Sequence, residues 1–508
     1  MTKMLLTEKY ADHLDGVLHC YDRLVLTGSL MPLCYAQGMT KYLYDQGIRI
    51  FDYAQQFTQP LAQAIRDNAQ ALAQKHGLVI EYIRKKNFRK EARIESLLKQ
   101  RGRQPGLVHI FSALEPCASY KPWHDKATHK TFLKPEDAKC LHYYFYFIDP
   151  DLGLCYLRVP TWCPFRLQFY FNGHAWLASQ LKQRRIAFQL QDNAFVQIAD
   201  YEIANQLAAD FDPLILHRKL DALAETYCPV VRTLSLSYHW SLWQAEYATD
   251  LVFNSRQALQ AFFPPLLETL VLAVKPEDIA MFLGQKLHGN YQGEVGSRLQ
   301  KRFPGTRIKH TYGPVTLKLY DKFAQVLRIE TTVNDVSFFQ QRRVVQHRNG
   351  ERETKWATMK KTLYNLPALQ EVLQAANRRY LEFLSALEQP DTGGPRLQQL
   401  TRTQVENDHH YKGFNFFAED DVTLFRALLR GEFVISGLTR RALQAVLPDR
   451  TLNQVGRLLK RLRVHGLLKK VGRRYKYYLT VLGQQVATLV LKLREQLARP
   501  ALASLASA

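Results

Sequence analysis

Cysteine is scarce in this chain of 508 residues and badly placed for disulfides: there are seven, an odd number, and all precede residue 229. None forms a Cys-x-x-Cys pair, and the group Cys117, His124, His129, Cys140 and His142 has the spacing of no common zinc module. These are read as ordinary buried thiols and surface histidines. No apolar run approaches the roughly 20 residues that cross a bilayer, and the opening MTKMLLTEKYADHLDG has no signal-peptide core. A cytoplasmic, nucleoid-associated protein with no membrane partner is expected. No His-hydrophobic-His metal pair occurs, and no nucleotide cofactor is evident. Negative charge is also in short supply, with 46 Asp and Glu against 69 Lys and Arg.

The resulting net charge of +23 is self-repelling unless phosphates or counterions neutralise it, so a polyanion is the expected partner. DNA, double-stranded and single-stranded, fits that charge, and RNA stays open. With 46% hydrophobic and 12% aromatic residues the chain can bury substantial cores, and its length suits two to four domains.

The most informative stretch is TLKLYDKFAQVLRIETTVND, residues 316–335. Leu317 and Leu319 alternate with Lys318, Tyr320 and Lys322, then Leu327 and Ile329 alternate with Arg328 and Glu330, which predicts a hairpin with one apolar and one reactive face. The polar faces coincide only if the loop holds an odd number of residues. The simplest loop, Phe323 to Gln325, sets Tyr320 opposite Arg328 and Lys318 opposite Glu330. A phenol with an ordinary pKa of about 10 must lose its proton to attack phosphorus. Tyr320 is the candidate nucleophile, Lys318, Lys322 and Arg328 are candidate stabilisers of the phenolate and phosphate, and Glu330 is a candidate ligand for a divalent metal, Mg or Mn. The same alternation also suits a half-exposed hairpin with a salt-bridged outer face.

The order FLGQK (282–286), KLYDK (318–322) and LRIE (327–330) resembles the core of rolling-circle replication initiators of plasmids and filamentous phages. The similarity spans about residues 230–345. It implies an enzyme in which a tyrosine nicks one DNA strand, becomes linked to the 5′ phosphate and is assisted by a metal ion, with Tyr320, Asp321, Lys322, Arg328 and Glu330 lining the site. Since the His-hydrophobic-His pair of many relatives is missing, His239, Glu246 and His310 are substitute ligand candidates alongside Asp321. Glu246 and Asp250, four apart on one strand, would lie about 13 Å from each other, so at most one contacts a shared ion.

The expected fold class is α+β and multidomain. Residues 1–215 read as an N-terminal α/β domain of unknown role, within which residues 82–103 carry nine basic residues against two acidic ones. Lys85, Lys86, Arg89 and Lys90 are candidate nucleic-acid contacts there, or simply a solvated helix face. Residues 139–174 read as a hairpin and a third strand whose aromatics pack a sheet. Residues 225–390 form the initiator-like antiparallel sheet with helices, including a basic ribbon or loop at 338–361 with an Asn-Gly turn. Residues 391–410 read as a linker.

Residues 411–508 resemble a MarR-like winged helix-turn-helix. Residues 451–467 are the expected recognition helix and residues 468–480 the wing, and from Arg450 to Thr480 there are ten basic residues and no acidic one. Thr451, Asn453, Gln454, Arg457, Lys460 and Arg461 are expected to face DNA, joined by Lys469, Lys470, Arg473, Arg474 and Lys476 on the wing. The expected whole is a DNA strand-nicking and joining protein of a mobile element, plasmid or phage. A non-enzymatic MarR-like regulator and a transposase or nuclease working through carboxylates and metal are the competing readings.

Overall fold

Sixteen residues, LDGVLHCYDRLVLTGS, form the first strand, β1 (Leu14–Ser29); no proline interrupts it, and Leu18, Cys20, Tyr21, Leu24, Val25 and Leu26 are buried, as in a strand covered on both faces. In the computed structural model, which describes residues 5–85, 87–302, 305–347, 349–387, 393–471, 476–499 and 502, the chain divides into two compact units, Met1–Glu388 and Gln389–Ala508. The α+β class holds in both.

The first unit is organised by one sheet of eleven strands. After β1 come β2 (Ile80–Tyr82), β3 (Gly106–Asp125), β4 (Lys130–Asp149), β5 (Gly153–Pro160) and β6 (Leu167–Asn172). A small separate pair, β7 (Phe188–Gln191) and β8 (Ala194–Ile198), follows. Then come β9 (His239–Phe253), β10 (Val295–Arg302), β11 (Gly305–Tyr312), β12 (Val315–Lys322) and β13 (Val326–Val333). The large sheet runs β10-β11-β12-β13-β9-β1-β6-β5-β4-β3-β2.

That order contains an internal repeat. A long strand, β1, is followed by helices and an antiparallel meander β3 to β6 whose last strand returns beside it; β9, its helices and the meander β10 to β13 do the same. The two long strands pair antiparallel with each other and join the halves into one sheet. Residues 1–215 and 225–390, expected as separate domains, therefore share a continuous hydrogen-bonded sheet. The boundary fails because β1 and β9, more than 200 residues apart, complete each other's ladders, a pairing that leaves no local signal.

One sheet face is covered by long helices. In the helix Leu366–Leu387, Leu366, Leu369, Leu373, Ala376, Tyr380 and Leu384 recur at three- and four-residue spacing, and all are buried. They share core clusters with Leu26 and Val333, and with Leu317, Leu319, Leu327 and Ile329. On the other face, Leu18 and Cys20 pack against Leu177, Leu181, Phe195 and Leu207 from the segment 173–209. That segment caps the seam between the repeats.

The expected ribbon at 338–361 is β14 (Gln340–Gln346) paired with β15 (Arg352–Thr358). In the second unit the expected linker 391–410 is instead ordered over most of its described length. Gly393–Thr401 is a helix and β16 (Gln404–Glu406) pairs with β17 (His409–Tyr411), held because Leu400 is buried in the same core as Phe414, Phe425 and Leu459. Helices Glu419–Leu428, Gly431–Ser436, Arg440–Val446 and Leu452–Val464 follow. A three-stranded sheet ordered β18 (Leu438–Thr439), β20 (Lys476–Leu479), β19 (Leu468–Val471) and a closing helix Val481–Lys492 complete it. Among the described residues no helix is long and apolar enough to cross a membrane.

Candidate metal and tyrosine site

The hairpin register follows the alternation of its residues. Tyr320 pairs with Arg328, Lys318 with Glu330 and Lys322 with Val326, leaving Phe323 to Gln325 as the loop. Phe323 and Ala324 adopt positive φ of 60° and 55° to close it. Because paired residues share a face, Lys318, Tyr320, Lys322, Arg328 and Glu330 project together, opposite the buried Leu317, Leu319, Leu327 and Ile329.

On that face Tyr320 donates its phenol proton to Glu330 Oε2 at 2.5 Å. Lys318 binds Glu330 Oε1 and reaches Glu246 Oε1 at 3.4 Å, and Thr332 donates to Glu246 at 3.1 Å. Asp22 completes an acidic triad with Glu246 and Glu330, each presenting a carboxylate oxygen within 4.8 Å of the others. Such oxygens, one each from β1, β9 and β13, suit a hard divalent cation. The triad sits at the seam of the two repeats.

The donor set fits a cation unevenly. Asp22 already accepts from Asn172 at 2.9 Å, from Asn193 at 2.8 Å and from Arg328 at 3.1 Å, so its lone pairs are largely used. Glu246 and Glu330 are satisfied mainly by the Lys318 ammonium, Thr332 and the Tyr320 hydroxyl. A divalent ion would therefore displace an ammonium and rest chiefly on the two glutamates, with Asp22 behind them. Burial, reinforced by the nearby Glu330 charge, raises the Glu246 pKa. Burial and then Glu330 also push the Tyr320 phenol well above its ordinary value, so it is neutral near neutral pH.

Arg328 holds the frame. It is 0% exposed and donates to both oxygens of Asp250 at 2.6 Å, to Asp22 and to the Asn193 carbonyl at 2.8 Å. His174 lies 3.3 Å from Asp22 and 3.6 Å from Asp250. Burial opposes ionisation of Asp250, but Arg328 and His174 outweigh it and lower its pKa to about 2; Asp22 is lowered by the same groups. Lys322, its pKa lowered by burial and then by Arg328, binds the Asn193 side chain. Gly173 is required here, since a Cβ would sit 2.1 Å from the Tyr21 carbonyl oxygen and lift His174 and its helix off β1.

Several predicted site residues lie elsewhere. Arg328, expected to touch phosphate, is enclosed and acts as a clamp between strands. Asp321 points to the face opposite Tyr320, as its pairing with Leu327 requires, and is removed from the triad. His310 pairs with Leu317 and shares the apolar face; it is sealed between Ser297 at 2.7 Å and Tyr380 at 2.8 Å, and burial lowers its pKa to about 4. His239 is exposed at the start of β9, seven residues and so roughly 23 Å from Glu246. Of the pair on β9, Glu246 joins the triad and Asp250 belongs to the clamp. In FLGQK, Gly284 ends a helix at φ 70° and the Phe282 carbonyl accepts from Arg379 at 2.9 Å, a structural role.

The candidate contact residues divide similarly. Lys90 is drawn into the sheet, 3.2 Å above the Tyr144 ring and 3.7 Å from Glu115, while Lys85 and Arg89 are exposed. Arg461 faces inward, pairing with Asp421 at 2.7 Å and donating to the Lys412 and Gly413 carbonyls, because the helix Leu452–Val464 packs that side on the core. Thr451 and Gln454 cap this helix reciprocally. Asn453 accepts from Arg440 at 2.7 Å and Lys460 pairs with Glu406, whereas Arg457, Lys469 and Lys470 are exposed and Lys476 is half-buried. Lys86, Arg473 and Arg474 lie outside the described residues.

Asn172, His174 and Asn193 carry no signal in the sequence, while Asp22, beside Arg23, is readable there as a candidate nuclease carboxylate, as are Asp149 and Asp151. No family model matches the chain, and neither a curated protein nor a solved structure matches it.

Proposed function

We propose that the first unit is a metal-dependent DNA strand-nicking and joining module in which Tyr320 is the nucleophile, and that the second unit is a winged helix-turn-helix that selects the site. The observation that carries this reading is the 2.5 Å hydrogen bond from the Tyr320 hydroxyl to Glu330, inside a triad able to hold a cation.

Glu330 Oε2 is placed to take the phenol proton as the tyrosine oxygen attacks phosphorus. The O–P bond to Tyr320 forms, the P–O3′ bond breaks, and the departing 3′ oxygen takes a proton, leaving the 5′ phosphate on the enzyme. A bound Mg or Mn ion would supply Lewis-acid polarisation of the phosphate. Lys318 bridges Glu246 and Glu330 until an ion takes its place between them, and the Arg328 clamp fixes β9, β13 and Asp22 relative to one another. Arg457, exposed on the helix Leu452–Val464, and Lys469, exposed on β19, support duplex recognition by the second unit. The net charge of +23 supports the polyanionic partner.

Asp22 supports a second reading, a nuclease or transposase in which the triad activates water and no tyrosine is linked. One assay separates the two. Labelled single-stranded and supercoiled DNA with magnesium or manganese should yield a protein-linked strand, absent in Tyr320→Phe. Cleavage that persists in Tyr320→Phe and vanishes in Glu330→Gln supports the water-activating reading instead.

A further inference from the structure

The ribbon β14–β15 stands as its own two-stranded sheet, and its two faces differ. Pairing places Arg342 opposite Trp356, Val344 opposite Thr354 and Gln346 opposite Arg352 on one face, and every one of these residues is exposed. Trp356 is 69% exposed and Val344 57%. The other face is half-buried over Gln341, Arg343, Val345, Lys355 and Ala357; there Lys355 pairs with the exposed Glu353 at 2.9 Å, and His347 reaches the same carboxylate at 3.2 Å. The outer face has no acid, and Arg342 and Arg352 have no hydrogen-bond or ion-pair partner among the described residues.

Trp356, opposite the unpaired Arg342 and on the same face as Val344 and Arg352, keeps apolar surface in water that a covering partner would remove from it. The absence of acids and the two free arginines favour a polyanion over a protein surface. Trp356 and Val344 offer no hydrogen bonds for reading base-pair edges, whereas an indole ring stacks on any base that has left its pair. The arm is also rooted near the acids. Leu242 on β9 donates to the Lys361 carbonyl at 2.7 Å, Lys361 pairs with Asp335 at 3.2 Å, and Glu246 lies four residues further along β9, roughly 13 Å away.

We propose that β14–β15 is a single-stranded-DNA arm, in which Trp356 stacks on an unpaired base of the strand presented to Tyr320 while Arg342 and Arg352 neutralise neighbouring phosphates. The choice of DNA rests on the strand-nicking reading; the stacking itself does not need that chemistry. The test uses full-length Tyr320→Phe protein without metal and a labelled oligothymidine, read by fluorescence anisotropy with excess unlabelled duplex to occupy the second unit.

Adding Trp356→Ala should weaken binding about ten-fold, and Trp356→Phe should stay within about three-fold of the parent. Arg342→Ala with Arg352→Ala should reduce the slope of log affinity against log salt by about 1.4. Thermal unfolding should not move, since Trp356 is exposed. Unchanged single-strand binding by Trp356→Ala overturns the proposal, as does a loss confined to duplex, or a shift from dimer to monomer showing that a second copy covers the ring. Retained stacking in a protein that never nicks DNA would leave the arm standing and remove Tyr320 chemistry.

Discussion

Arg328 and Asp250 face each other across β13 and β9, and one guanidinium takes both oxygens of one carboxylate at 2.6 Å with neither side chain exposed to solvent by more than 1%. The same guanidinium reaches Asp22 on β1, so three strands from both repeats meet on one side chain. Removing one member of a buried ion pair leaves the others charged without compensation.

Arg328→Met should therefore destabilise the first unit by about 3–5 kcal/mol in denaturant unfolding. Asp22→Asn and Asp250→Asn added together to that variant should recover a large part of the loss, because the stranded charges are then gone. Lys322→Met, at a residue that is only half-buried and pairs with no carboxylate among the described residues, should cost much less.

Acid should act in two stages. His310 has its folded pKa lowered to about 4 by burial, against about 6.5 unfolded, so its neutral form stabilises fully above pH 6.5 and this contribution fades as pH falls towards 4. The size is on the order of 3 kcal/mol. Asp250, lowered to about 2 by Arg328 and His174 against its burial, keeps its contribution until pH drops below the unfolded value of about 3.9 and loses it towards 2. Urea midpoints from pH 7 to 3 should show the first stage, and His310→Asn should flatten it.

Metal binding should be opposed by Lys318 and by protons. Lys318→Met, which removes the ammonium between Glu246 and Glu330, should raise manganese affinity. Glu246→Gln or Glu330→Gln should abolish the rise in melting temperature that manganese gives by binding the folded state. Because burial and Glu330 raise the Glu246 pKa, affinity should increase with pH above the usual carboxylate range, measured by calorimetry.

Two arginines on one helix should behave oppositely. Arg461→Ala should cost the second unit about 2–3 kcal/mol, since Asp421 and two carbonyls lose a charged donor. Arg457→Ala should leave stability unchanged and weaken duplex binding with a shallower salt dependence.

What could be read in the sequence was set by strand periodicity. The partners of Tyr320 and Lys318 follow from alternation and an odd loop, which are local. Asp22 is different: it lies at a register shift between Tyr21 and Arg23, so a bulge, not alternation, turns it towards Arg328. Asn193 enters from the turn between β7 and β8, and His174 from the start of a helix after β6. Their distance from Arg328 in sequence, 135 and 154 residues, leaves no periodic trace. Helical spacing puts Arg461 at the edge of the apolar stripe, and only Asp421 and the turn at Lys412–Gly413 decide which way it folds.

The most direct measurement is mass spectrometry of the peptide that carries nucleotide after reaction with oligonucleotide and manganese. The account predicts one modified peptide, covering residues 316–335, with the 5′ phosphate on Tyr320. Cleaved DNA with no modified peptide, or the nucleotide on another residue, would contradict it.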